Sequence, residues 1–197
     1  MTPAYTEARK ACFTVLDFET TGSVPGYAVE PWQVGLVRVR GGRVCPDEAY
    51  ESLLRIGDRP FNPRAPGRHA MLREVLRDAP ALAEVWPDLS GWISGVPLVA
   101  HHVGTERSVL RRFAPLHPLG PWVDTLVLVR WAYPSLRSKA LADVVDALGL
   151  SGRVRELCPD RDAHDALFDA FACAAVLEHL LGLPGWEQIT VQALAGR

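Results

Sequence analysis

Hydrophobic residues fall into short runs early in the chain and into helical repeats later. Residues 12–18 (CFTVLDF) form an apolar run rich in strand formers and predict a first strand. In 33–40 (QVGLVRVR), Val34, Leu36, Val37 and Val39 give a mostly period-two pattern and a second strand. Between Arg40 and Arg43, the pair Gly41-Gly42 supplies the positive φ angles of a tight hairpin turn. A third strand is expected around 49–56. The prolines and glycines of 22–31 and 57–67 mark loops. From Arg68 the spacing turns helical, with Met71, Leu72, Val75 and Leu76 on one face. Leu82, Val85, Trp86, Leu89 and Ile93 repeat the pattern over 81–93, although Pro87 removes a backbone donor there. Then follow a short buried strand at 97–100, a helix at 105–113 with Thr105 as its cap, a strand at Trp122 and Val123, and a helix at 125–132. A helix at 138–148 ends at Gly149, and the longest helix, 163–182, is stopped by Gly182 and Pro184. Residues 185–197 fit one more short helix. Three strands able to pair as a meander, followed by alternating helix and strand, imply an α/β fold with helices packed on a mixed sheet. We expect a single main domain over 12–182, with an arm at 1–11 and a tail at 183–197.

Composition narrows the function classes. The chain has 197 residues, 48% hydrophobic and 22% charged, as in an ordinary globular domain. No apolar run approaches the roughly 18 residues of a spanning helix, and residues 1–18 lack a secretory pattern. A cytoplasmic protein with no membrane association is the expectation. A formal charge of −2 argues against coating nucleic acid by bulk charge, but not against gripping a strand locally. Lys10 and Lys139 are the only lysines among 21 cationic residues, a bias that coding composition accounts for. Cys12, Cys45, Cys158 and Cys173 are scattered and form no C-x-x-C pair, so neither a zinc knuckle nor a disulfide framework is indicated.

Three segments carry chemistry. The first is Asp17-Phe18-Glu19-Thr20-Thr21-Gly22. Strand alternation points Asp17 and Glu19 to the same face, where they repel unless a cation lies between them. Hard divalent cations favour such oxygen ligands. The second is LVAHH followed by VGTERSVL, which puts Glu106 in the first turn of a helix after a strand; a favourable first-turn charge is the plainer reading. The third is His164-Asp165-Ala166-Leu167-Phe168-Asp169. Asp169 lies beside the stripe of Phe168, Phe171, Ala172, Ala175, Val176 and Leu180, where an unpaired carboxylate is costly. Metal coordination or an arginine partner would relieve that cost. Asp165, one turn earlier, is a rival for the same role, and His164 could be only a helix cap.

Taken together, D-x-E on a strand, an acid after a later strand and H-x₄-D on a C-terminal helix resemble the DEDDh 3′→5′ exonucleases, the DnaQ-like family of polymerase proofreading subunits. The resemblance runs over about 12–182 and extends to HAMLREVLRDAPALAEVWPDL and PWVDTLVLVRWAYPSLRSKALADVVDALGL. It implies an RNase H-like mixed β-sheet with helices on both faces and two divalent ions, Mg²⁺ or Mn²⁺. The substrate it implies is the 3′ end of single-stranded DNA or RNA, cleaved to nucleoside 5′-monophosphates; a DNA polymerase subunit is a further possible partner. By the same resemblance, Asp17, Glu19, Glu106 and Asp169 are the metal ligands and His164 the general base. Phe18, Thr20, Thr21, Gly22, His101 and His102 would lie beside the substrate. Three positions depart from the family pattern: Glu106 stands where Asp is usual, His102 where Asn is usual, and Thr105 where an aromatic is usual. They leave a catalytically weakened or inactive nucleic-acid- or polymerase-binding module of the same fold as the alternative.

Other classes lack their signatures. The sequence has no G-x-G-x-x-G turn, no G-x-x-x-x-G-K-[ST] loop and no nucleophile elbow. Arg107, Arg111 and Arg112 offer a basic rim for phosphates, or simply a solvated helix face.

Overall fold

The computed structural model describes residues 6–65 and 69–197. Strands β1 (Cys12–Thr20), β2 (Pro31–Arg40), β3 (Arg43–Leu53), β4 (Leu98–Ala100) and β5 (Trp122–Asp124) form one sheet in the order β3-β2-β1-β4-β5. The first three strands are an antiparallel meander, and β4 and β5 add in parallel on the far side of β1. The helices are α1 (His69–Asp78), α2 (Leu82–Ile93), α3 (Gly104–Phe113), α4 (Thr125–Ala132), α5 (Leu141–Ala147), α6 (Ser151–Leu157), α7 (Ala166–Leu181) and α8 (Val191–Ala195). This is the RNase H-like α/β arrangement, with helices on both faces of a mixed sheet.

Alternation along the strands divides the core in two. Phe13 and Val15 of β1, with Val37 and Val39 of β2, join α7 and the shorter helices α4, α5 and α6 in one buried cluster. Leu16, Phe18, Val34 and Leu36 point the other way, into a cluster with α2 and α3. A smaller cluster of Trp32, Ile56 and Leu76 seats α1. The register opposes Val15 to Val37, Asp17 to Gly35 and Glu19 to Gln33. Asp17 and Glu19 therefore continue the Phe13–Val15 face, towards α7.

Several boundaries differ from the sequence pattern. β3 begins at Arg43, directly from the Gly41-Gly42 turn, not near 49. Its first half is Cys45-Pro46-Asp47-Glu48, which shows no apolar alternation because this is an edge strand, where Pro and charge are tolerated. α2 runs through Pro87, and its first turn is closed by Glu84, whose carboxylate accepts the Ala81 N–H at 2.6 Å. α3 starts at Gly104 with no side-chain cap, so Thr105 lies inside the helix and does not cap it. α6 was not apparent in the pattern. It is only two turns long, too short for periodicity to register. α7 begins at Ala166, because Asp165 takes the cap position. The expected start of α1 at Arg68 and the facing of Met71 lie outside the described residues and side chains.

The chain ends pack together at the far end of α7. Ala8 is fully buried in the larger cluster with Trp186, Val191 and Leu194. Its N–H donates to the Ile189 carbonyl at 2.7 Å, and the Val191 N–H donates to the Thr6 carbonyl at 3.0 Å. Among the described residues, no helix is long and apolar enough to cross a membrane.

Candidate active site

The carboxyl end of β1 and the amino end of α7 meet through β2. Gln33 is buried and bridges them: its Nε2 donates to Asp165 Oδ2 at 3.0 Å, and its Oε1 accepts the Ala166 N–H at 3.2 Å. Asp165 also accepts the N–H groups of Leu167 and Phe168 and pairs with Arg161 at 2.9 Å. Its oxygens are fully engaged in capping α7 and anchoring the loop before it. The cap is thus Asp165 and not His164, and the residue free to face β1 is Asp169, one turn further on.

Asp169 Oδ2 accepts the backbone N–H of His164 at 3.2 Å. His164 is exposed and has φ of 66°, a left-handed conformation uncommon for a non-glycine residue. That geometry brings one ligand atom each of Glu19, His164 and Asp169 within 4.8 Å of one another.

Glu106 enters from the first turn of α3 and is 4% exposed. Its Oε2 is buried with no hydrogen-bond partner among the described residues. The turn ahead of α3 is tied down by Asp124, which accepts the N–H of His102 at 2.9 Å and that of Val103 at 3.2 Å. His102, like His164, has a positive φ, 69°.

Burial raises every one of these acids, and neighbouring carboxylates add to it. Asp17 lies well above the usual carboxylate range, through burial first and then the charges of Asp169, Glu106 and Glu19. Glu19 is pushed up to about 7 by burial, and next by Asp169 and Asp165. Burial lifts Glu106 to about 7. Asp169 rises to about 6, burial outweighing the N–H and the charge of His164. Four desolvated, like-charged carboxyl groups and one orphaned oxygen are the donor set that a hard divalent cation satisfies.

A cleft of about 530 Å³ opens over this cluster. Of the residues that the resemblance assigns to metal, base and substrate, all line it except Thr21. Thr21 is buried; its hydroxyl accepts the Glu30 N–H at 3.1 Å, and its carbonyl accepts the Asn62 N–H at 2.8 Å. It shapes the loop and does not face the cleft. His101 reaches the cleft wall, but both of its ring nitrogens are engaged: Nε2 with the Lys139 carbonyl at 2.7 Å and Nδ1 with the Thr125 hydroxyl at 2.9 Å. Burial lowers its pKa, which favours the neutral ring with Nε2–H as donor. Asn62, Arg64 and Ala65, and with them Thr105, also line the cleft, although the sequence assigned none of them to the substrate. The first three come from a Pro-rich loop without a motif. The available signal was Gly22, whose missing Cβ would lie 2.9 Å from Asn62 Cβ and 3.1 Å from Ala65 Cβ.

The exonuclease family typified by RNase T matches residues 14–177, which spans every element of the cleft. The chain belongs to the DEDDh-type 3′→5′ exonucleases. It is 30% identical over 181 residues to a DNA polymerase III subunit epsilon-like protein of Rhodobacter capsulatus, covering 90% of this chain and 25% of that one. It is 27% identical over 186 residues to exodeoxyribonuclease 10 of Escherichia coli K12, covering 93% and 74% respectively. The chain thus spans about a quarter of the Rhodobacter relative it matches. Among solved structures, exonuclease X in complex with 5′ overhanging duplex DNA superposes with a TM-score of 0.70 at 25% identity, over 93% of this chain and 98% of that one. The nuclease domain of 3′hExo, a DEDDh family member bound to rAMP, gives the same TM-score at 15% identity and attests the fold.

Proposed function

We propose that this exonuclease-family chain is a metal-dependent 3′→5′ exonuclease that releases nucleoside 5′-monophosphates from the 3′ end of single-stranded DNA or RNA. The observation that carries this reading is the convergence of Glu19, His164 and Asp169 ligand atoms within 4.8 Å, next to the strongly perturbed Asp17. Asp17, Glu19 and Asp169 would hold one divalent ion, Mg²⁺ or Mn²⁺. Asp17 with Glu106, whose buried Oε2 lacks a partner, would hold a second. When bound, such ions neutralise charge at the scissile phosphate and acidify water.

The protein's own groups set the remaining geometry. His164 presents its imidazole beside Glu19 and Asp169 and accepts the proton of the attacking water. As the water oxygen bonds to phosphorus, the bond to the 3′ oxygen breaks. That oxygen leaves as the 3′ alkoxide and takes a proton from solvent to become the 3′ hydroxyl of the shortened strand. The Asp169 carboxylate, through the His164 N–H, keeps the histidine backbone in its left-handed conformation. Thr20 and Gly22 border the cleft where the terminal nucleotide would lie. The epsilon-like relative in Rhodobacter makes a DNA polymerase subunit a reasonable partner to test.

The test is shortening of 5′-labelled single-stranded DNA and RNA by the purified protein, with Mg²⁺, with Mn²⁺ and with chelator. Metal-dependent, one-nucleotide ladders from the 3′ end are expected. Removing the general base in His164→Ala should cost about 10²- to 10⁴-fold in rate. Intact substrate under all metal conditions would refute the reading in favour of a binding module.

A further inference from the structure

The cleft has a charge problem. Asp17, Glu19, Glu106 and Asp169 line it, yet a nucleic-acid strand is a polyanion. Cations bound to those carboxylates offset charge at the scissile phosphate and leave the rest of the strand without a counter-charge from the protein. Among the described residues, one arginine lines the cleft, Arg64. The basic rim expected on α3 does not serve: Arg107 and Arg111 do not line the cleft, and Arg112 pairs with Glu30 at 3.0 Å. Arg59 also pairs with Glu30, and Arg161 with Glu51 and Asp165. Arg64 is exposed and has no ion-pair partner among the described residues.

Its backbone is nonetheless fixed. The Arg64 N–H donates to Asn62 Oδ1 at 2.9 Å, Asn62 Nδ2 donates to the Ser23 carbonyl at 3.0 Å, and the Asn62 N–H donates to Thr21. The loop is therefore stitched to the turn that follows β1, beside Thr20 and Gly22. Among the described residues, Arg64 shares the cleft with Glu19 and Asp169 but pairs with neither, so its charge is not committed to the acids at the reacting end.

We propose that Arg64 is a specificity-determining residue whose guanidinium grips a non-scissile phosphate of the bound strand, the next one on the 5′ side of the cleaved bond. This grip presupposes the nuclease activity proposed above. It makes a strand a better substrate than an isolated nucleotide ester, and it does so by charge-assisted hydrogen bonds that alanine cannot replace.

Two substrates separate the grip from the chemistry. One is a single-stranded oligonucleotide; the other is the p-nitrophenyl ester of thymidine 5′-monophosphate, which carries the scissile phosphate and no other. Arg64→Ala should raise KM for the oligonucleotide about tenfold with kcat within about twofold, and leave hydrolysis of the ester unchanged. The slope of log affinity against log salt should fall by about 0.7, one single-strand contact. Arg64→Lys should keep that slope while recovering part of the KM. Equal losses on both substrates, or an unchanged oligonucleotide KM, would overturn the assignment while the nuclease reading stands. A wild-type protein that hydrolyses neither substrate with Mg²⁺ or Mn²⁺ would overturn both.

Discussion

Gly35 of β2 lies directly under Ala166, the first residue of α7; a Cβ at Gly35 would overlap the Ala166 carbonyl group and the Leu167 nitrogen. Gly35 is also the register partner of Asp17. One hydrogen atom thus sets how closely the helix bearing Asp169 approaches the strand bearing Asp17 and Glu19. Gly35→Ala should push the amino end of α7 off the sheet. Overpacking against backbone costs about 1–3 kcal/mol, read as a lower denaturant midpoint. Activity should fall further than this loss of stability explains, because Asp169 moves with the helix. A variant with unchanged midpoint and unchanged cleavage would show that α7 does not depend on this contact.

The two acids at the amino end of α7, the cap Asp165 and Asp169 in the first turn, separate by role. Asp165 caps the helix and pairs with Arg161, so Asp165→Ala should cost about 1–2 kcal/mol of stability and retain metal-dependent cleavage at reduced temperature. Asp169 accepts one backbone N–H and otherwise faces Asp17, Glu19 and the His164 ring. Asp169→Asn should leave thermal stability in chelator unchanged or higher and lower cleavage by at least about a hundredfold. Melting curves beside single-turnover rates distinguish the pair. The opposite pattern would transfer the functional role to Asp165.

That division was only half legible in the sequence. Alternation alone put Asp17 and Glu19 on one face, and the continuation of Phe13 and Val15 into the same core bears that out. Spacing could not choose between Asp165 and Asp169, which are neighbours one turn apart. The choice depends on Gln33, a residue more than a hundred positions away, whose amide engages Asp165. Arg64 and Asn62 were invisible for a related reason. Their loop has no period, and its place over the cleft is set by contacts to Thr21, Gly22 and Ser23 that no local pattern encodes. The polar edge strand at 43–48 and the two-turn helix α6 escaped because neither buries enough apolar surface to leave a repeat.

The raised carboxyl groups predict an inverted pH dependence of stability without metal. Glu19 and Glu106 titrate near 7 and Asp169 near 6 in the folded protein, all above their ordinary values. The folded state therefore holds more protons than the unfolded chain between about pH 4 and 7. Their contribution to stability is full below the ordinary carboxylate range and is lost as pH rises through 6 to 7. In chelator, melting temperature should decline across that interval, and the Glu19→Gln/Asp169→Asn double variant should flatten the decline. Adding Mn²⁺ should raise the melting temperature more at pH 8 than at pH 5, where protons compete for the same oxygens. A metal-independent profile would mean that the acids are relieved in some other way.

Glu106 offers the sharpest test of a second cation. Its carboxyl is 4% exposed, its Oε2 lacks a partner, and burial holds its pKa near 7. Glu106→Gln keeps the shape and removes the charge. In chelator it should be as stable as the wild type or more so, because no anion is left desolvated. With Mn²⁺ it should lose part of the thermal shift and need higher metal concentrations for cleavage, with a rate lower by about 10-fold or more. Glu106→Asp withdraws the oxygens by one methylene from a buried position. It should retain metal-dependent cleavage at lower stability. If instead Glu106→Gln kept both the wild-type thermal shift and the wild-type metal requirement, the buried carboxylate would be a packing feature of α3, and the ions would be held by Asp17, Glu19 and Asp169 alone.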